Sequence, residues 1–211
     1  MTPSLSVSAP LQKRSARTLD AIVDATERLL DSKAFEEIAV ADIVREAKVS
    51  TGSFYARLAS KDALLPLLYR RYHQEAGQRG ARLIEQIEAA DSLAVACHLV
   101  IEPFIWLYTA RANLMRAVTL LARSNPQAIE EYMPERMELH RGIGRAMLRF
   151  APEIRRRPVE QALRLAMFMA ASTLREALLF ANAPFAQATS ADPTGLRAEV
   201  VAMMTGYLSQ E

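Results

Sequence analysis

The chain has 211 residues, 51% of them hydrophobic and only seven of them glycine, with a formal charge of +2. This length holds one mid-sized core or a small head on a larger body, and so little glycine disfavours a turn-rich all-β fold. A charge so close to zero gives no argument for nucleic acid, so such a partner must be read from how charge is distributed.

Taken in chain order, the opening MTPSLSVSAPLQ is polar and lacks the apolar run of a signal peptide. With Lys13 and Arg14 it reads as a disordered basic arm over residues 1–14. Over residues 15–32, Leu19, Ile22, Val23, Leu29 and Leu30 recur at helical spacing. A loop with Phe35 and Ile38 follows, then two short helices over 40–47 and 51–57, so that residues 15–58 form a three-helix domain. Ser60 is placed as the N-cap of a connector helix over 60–77, the first part of a helical body over 59–211. Further helices are expected over 91–111 (kinked at Pro103), 113–123, 127–149, 159–182 and 195–208. Glu102 and Pro103 break the most apolar stretch, which argues against a membrane span. The lone Cys97 cannot close an internal disulfide, which fits a cytoplasmic protein and a packing role.

The segment from Ile22 to Leu65, IVDATERLLDSKAFEEIAVADIVREAKVSTGSFYARLASKDALL, carries most of the information. It resembles the N-terminal DNA-binding domain of the TetR family of transcriptional regulators. The match runs through Phe35, Val40, Asp42, Ile43, Ala47, Val49, Ser50, Gly52, Phe54, Tyr55, Ser60, Lys61, Asp62 and Leu64. Two short helices joined by a tight turn lay the second across the first, exposed for a major groove. Ser50 caps that second helix; Ser50, Thr51 and Ser53 are small and polar, and Gly52 carries no side chain, so DNA can approach closely. Tyr55 and Lys61 are assigned to phosphates, Thr51 and Ser53 to base preference, and Arg45 and Lys48 complete the DNA-contact set. Three residues depart from the family pattern. Ala39 stands where a threonine cap is usual, Lys48 replaces the turn glycine, and Leu58 replaces an aromatic. If Lys48 takes a positive φ, it carries about 1 kcal/mol of strain.

The helix over 159–182 is apolar around most of its circumference and is therefore buried on most of it. One stripe, Val159, Leu163, Ala166, Ala170, Leu174 and Leu178, is assigned to a four-helix seam between two copies. Leu196, Val200, Met203, Met204 and Tyr207 of the last helix join it, a pairing the resemblance also implies. A second apolar set, including Leu165, Phe168 and Met169, lies on the other side. The body also holds large, adaptable side chains beyond what such a seam needs: Phe104, Trp106, Tyr108, Met115, Tyr132, Met137, Met167 and Phe168. They are assigned to a pocket for a small apolar or amphipathic effector, with Arg111 as anion partner and His98 and His140 as further polar contacts. The run Arg155–Arg157 reads as a solvated charged loop.

His73, His98 and His140 lack the spacing of a metal site. Ser50, Thr51 and Ser53 have neither a histidine partner nor a nucleophile-elbow context. No catalytic residue, metal or cofactor is assigned. The reading is an all-α chain: a helix-turn-helix head plus a larger helical effector-binding and dimerisation domain. It is expected to bind a double-stranded, inverted-repeat DNA operator as a homodimer, as a repressor released by a small-molecule effector, with no membrane partner. Two other readings stay open: a regulator without effector, controlled by a protein partner and marked by a filled body, and a head fused to an enzyme or carrier body.

Overall fold

The computed structural model describes residues 9–180 and 192–210. Among these, all regular structure is helical. The helices are α1 (Ala9–Leu30), α2 (Val40–Glu46), α3 (Thr51–Tyr55), α4 (Leu64–Glu88), α5 (Leu93–Ala110), α6 (Ala112–Ser124), α7 (Met133–Met147), α8 (Val159–Leu179) and α9 (Pro193–Ser209). Short 3-10 segments stand at Phe35–Glu37, Pro126–Tyr132 and Leu148–Phe150.

Helices α1 to α3 make the head. Ile22, Phe35, Ile38, Ile43, Phe54 and Leu58 are buried between them, and the buried Thr26 hydroxyl donates to its own helix at Ile22 O, 2.8 Å. Helix α1 starts at Ala9, so the described part of the expected 1–14 arm is helical. Residues 1–8 lie outside the described residues, as does most of the loop that Pro184 and Pro193 lead one to expect over 183–194, whose last two residues belong instead to α9.

The connector differs from expectation at both ends. Ser60 is not its cap, because α4 begins only at Leu64 with Ala63 in the cap position. It then continues to Glu88, 25 residues in all, or about 38 Å at 1.5 Å per residue. Its second half is held by two glycine notches. The Leu139 side chain of α7 lies against Gly80, and the Ile84 side chain of α4 lies against Gly142. Each notch lets the facing helix come close, which a Cβ at either position would oppose.

In the body, α5 is packed against α4, α8 and α9. It is the one described helix long and apolar enough to cross a membrane, yet it serves as the hub of the core, with Leu93, Ala96, Cys97, Val100, Ile101 and Ile105 buried. Helices α8 and α9 lie side by side across it. Asp192 caps α9, accepting from Thr194 N and Gly195 N at 2.7 and 2.8 Å. The basic loop ties down the other end of α9: Arg155 N donates to Leu208 O at 2.9 Å, and Arg156 Nε to Tyr207 O at 3.0 Å. Only the second of these bonds comes from a side chain: a cation at a helix C-terminus satisfies a free carbonyl and the negative dipole end, so Arg156 has a structural use.

Head and body are joined by polar contacts. Arg71 of α4 pairs with three carboxylates of α1: Asp20 at 3.6 Å, Glu27 at 3.3 Å, and Asp24. Asn113 Nδ2 of α6 donates to Leu30 O at 2.8 Å.

Candidate nucleic-acid interface and body cavities

The turn between α2 and α3 is built by local chemistry. Lys48 has φ 55°, the left-handed conformation that glycine adopts without cost. Val49 N then reaches Val44 O at 3.0 Å and Lys48 N reaches Arg45 O at 3.2 Å, the paired bonds of a Schellman stop. The expected strain therefore falls on Lys48. Two residues on, Ser50 Oγ accepts from Ser53 N at 3.1 Å and donates to Ser53 Oγ at 3.0 Å, which starts α3. At the start of α2 the alanine offers no cap, but the Asp42 carboxylate accepts from Ala39 N at 3.3 Å. Asp42 also pairs with Arg45, and that hydrogen bond, ahead of the Ala39 contact, holds its pKa below the usual range.

Phe54 is fully buried and fixes α3 to the head core, while its neighbour Tyr55 is 55% exposed. Arg45, Lys48, Ser50, Thr51 and Gly52 are exposed and Ser53 is half-buried. Sequence reasoning passed over Arg57. Its guanidinium donates to Ser53 O at 2.7 Å and to Ser15 O at 3.2 Å, locking the end of α3 onto α1. Nothing local in the sequence marks a contact 42 residues away.

Lys61 does not sit in the first turn of a helix. Its ammonium donates to Phe35 O (2.7 Å), Ile38 O (2.9 Å) and Glu36 O (3.4 Å) and lies 4.6 Å from the Phe35 ring centroid. An ammonium has three donors, and all three are occupied. Its described role is to lock the segment before α4 onto the α1–α2 connection, in place of the expected phosphate contact.

The residues assigned to one effector pocket fall into two hollows. An inner cavity of about 120 Å³ lies among α4, α5, α6 and α7, and Phe104, Trp106, Tyr108 and Met115 line it. Tyr69, Tyr72, His73 and Arg79 of α4 complete its wall, and these were missed because the connector was taken as a strut only. The Arg79 guanidinium stacks on Trp106 at 3.7 Å. Arg136 Nη1 donates to Tyr69 Oη at 3.3 Å. Burial pushes the Tyr72 and Tyr108 phenols up and lowers His73 to about 4, so this imidazole is neutral at pH 7.

An open cleft of about 510 Å³ lies between α7 and α8, and Met137, Met167 and Phe168 line it. Arg136 and His140 line both hollows. His140 Nδ1 is 2.8 Å from Arg136 O, and burial lowers its pKa. Arg111 borders neither hollow; it lies 3.7 Å from Glu75, against the head. His98 is on the surface, 3.3 Å from Glu102. The Tyr132 side chain lies outside the described residues.

Most of the stripe assigned to a dimer seam is inside the protomer. Leu163, Ala166, Ala170, Leu174, Leu196, Val200 and Met204 are all buried without a second copy, and Val159, Leu178 and Tyr207 are half-buried. The large apolar side chains that α8 and α9 turn outward are Leu165 (42% exposed), Phe168 (66%) and Met203 (38%). Burial raises the Cys97 thiol to about 11, so the thiolate needed for reactivity is scarce at neutral pH.

Residues 22–68 match the family described as bacterial regulatory proteins, tetR family. The chain is 30% identical over 132 residues to the HTH-type transcriptional regulator EthR of Mycolicibacterium smegmatis, 60% of each chain. It is 31% identical over 87 residues to the A-factor receptor protein of Streptomyces griseus, 40% of this chain and 32% of that one. The chain thus spans between about a third and three-fifths of these curated relatives. Among solved structures, a putative tetR-family regulator from Mesorhizobium loti superposes with TM-score 0.66 at 16% identity, over 92% of this chain and 96% of that one. FadR of Bacillus subtilis, solved with stearoyl-CoA, gives 0.62 at 21% identity, over 89% and 98%. By its head segment, residues 22–68, the chain is similar to the tetR family of bacterial regulatory proteins.

Proposed function

We propose that the protein is a cytoplasmic repressor that binds an inverted-repeat operator as a homodimer and leaves it when the body takes up a small apolar or amphipathic effector. The observation that carries this reading is the course of α4. Arg71 grips three α1 carboxylates of the head, and the next two residues, Tyr72 and His73, line the inner cavity of the body. A molecule that displaces those two side chains therefore acts on the helix that holds the head. Effector binding loosens DNA only if the ligand prefers the spacing of heads that misfits the operator, and ten-fold induction needs about 1.4 kcal/mol of that preference.

DNA contact is assigned to Arg45, Lys48, Ser50, Thr51, Gly52, Ser53 and Tyr55. The homodimer reading moves to the outward side of α8 and α9, where Leu165 and Met203 offer apolar surface. Hollows of about 120 and 510 Å³ favour a small-molecule effector over control by a protein partner alone, since a water occupies about 30 Å³. FadR's capture with stearoyl-CoA is a precedent for an amphipathic ligand on this fold.

Selection from random DNA tests the reading. It should return a symmetric motif with half-sites about one helical turn apart or slightly more, and binding should fall steeply with salt. Recovery of no symmetric motif would defeat the dimeric operator. Operator release and thermal shift with a panel of apolar and amphipathic compounds test the effector.

A further inference from the structure

The α7–α8 cleft has a chemistry of its own. Five arginines line it: Arg136, Arg141, Arg145, Arg164 and Arg175. Two of them share one carboxylate, with Arg141 2.7 Å and Arg145 2.9 Å from Glu138. Among the described residues, no carboxylate pairs with Arg136, Arg164 or Arg175. Arg175 donates to Ser172 Oγ at 3.2 Å, while its Nε is buried with no hydrogen-bond partner. Glu160 is the one carboxylate among the lining residues. Between the arginines the floor is apolar: Leu148, Leu163, Met167 and Ala171, with Met137 and Phe168 at 46% and 66% exposure.

Arg175 Nε, buried without a partner, carries a desolvation penalty, and apolar surface left open to water forgoes its burial energy. One occupant satisfies both, a molecule with an acidic head and an apolar chain. A planar guanidinium binds carboxylate or phosphate oxygens in pairs, with more strength and direction than a lysine does.

Resting on the reading that the body holds an effector, we propose that this cleft binds an amphipathic anion. Its head lies on Arg136, Arg164 and Arg175, and its chain on the Leu148–Leu163–Met167–Phe168 floor. Arg136 and His140 also face the inner cavity, so the head group contacts the wall of the chamber that α4 completes. Filling the cleft is thereby coupled to the helix that carries Arg71.

The test compares dodecanoate with 1-dodecanol, both below their aggregation concentrations, on the full chain by calorimetry. Dodecanoate should bind about ten-fold tighter or more, because hydrogen bonds to charged groups contribute more than neutral ones. Arg164→Gln, at an exposed position, should remove part of that margin without moving the melting temperature. Arg164→Gln with Arg175→Gln should remove most of it and leave dodecanol binding unchanged. Equal affinity for acid and alcohol, no binding of either, or full dodecanoate affinity in the folded double variant would each overturn the proposal. If uncharged compounds release operator and dodecanoate does not bind, the effector reading stands and this one falls. If no symmetric operator exists yet dodecanoate binds through these arginines, the regulator reading falls and this one stands.

Discussion

The head and the body solve opposite problems. The head fills its core with Ile22, Ile43 and Phe54, all fully buried, and turns outward the residues assigned to DNA, on α2, α3 and the turn between them. The body turns its chemistry inward, to a tyrosine- and arginine-walled cavity and a half-open cleft. In the proposed function, a convex reader must be rigid because duplex DNA has a fixed groove, and a receptor must keep space because its ligand arrives from solution and has to be enclosed. The head therefore depends on exact packing and backbone capping, while the body can trade packing for volume.

The largest expected effect breaks the head alone. Phe54→Ala empties a fully buried ring site and should cost the head about 3–5 kcal/mol. Operator binding should vanish while the body's cooperative melt persists, a result checked by calorimetry and a DNA shift assay. Loss of both transitions together would mean that the two regions are one cooperative unit. Next is Lys61→Met, which strips three carbonyls of their donor and should destabilise the head by about 1–3 kcal/mol. The salt slope of DNA binding should stay as it is; a slope lower by about one would restore a phosphate role.

Tyr55→Phe sharpens the contrast from the other side. It should weaken operator binding about five-fold, roughly 1 kcal/mol, at an unchanged melting temperature, because Tyr55 is exposed. Lys48→Gly should stabilise the head by about 0.5–1 kcal/mol, since the positive φ suits glycine, while removing a cation from the reading surface. A further effect belongs to the body. With its pKa lowered to about 4, His73 takes up a proton less readily in the folded chain than in the unfolded one, where it titrates near 6.5. The unfolded state binds more protons in between, so stability should be steady above about pH 6.5 and fall as pH drops towards 4. His73→Gln should flatten that part of the melting-temperature profile.

What could be read in advance follows the same division. The turn at Lys48, the Ser50 cap and the inward Phe54 are decided by residues within a few positions of each other, so the sequence carries them openly. Lys61 was misplaced because its carbonyl partners lie 23 to 26 residues earlier, and no spacing rule announces a bond of that range. The second half of α4 was hidden by its polar run from Gly77 to Arg82, which looks like a helix end. Gly80 is there to admit Leu139 of another helix, a reason visible only in three dimensions. On α8, hydrophobicity on nearly all sides left the choice of face open. Most of the stripe given to a partner is buried within the protomer, and Leu165 and Phe168 of the second apolar set are exposed.

The Arg71 fork adds a consequence for ionic strength. Its partners Asp20 and Asp24 are 67% and 50% exposed, so ions reach the clamp, and exposed charges are screened over about 8 Å in physiological salt. Added salt would thus act at two places: it would slacken the joint between head and body and compete with phosphates at the proposed reading surface. Under the proposed function, ionic strength would then act on operator binding with no ligand needed. The dependence of operator affinity on salt should accordingly exceed what phosphate contacts alone would give, and Arg71→Met should return it to that lower value.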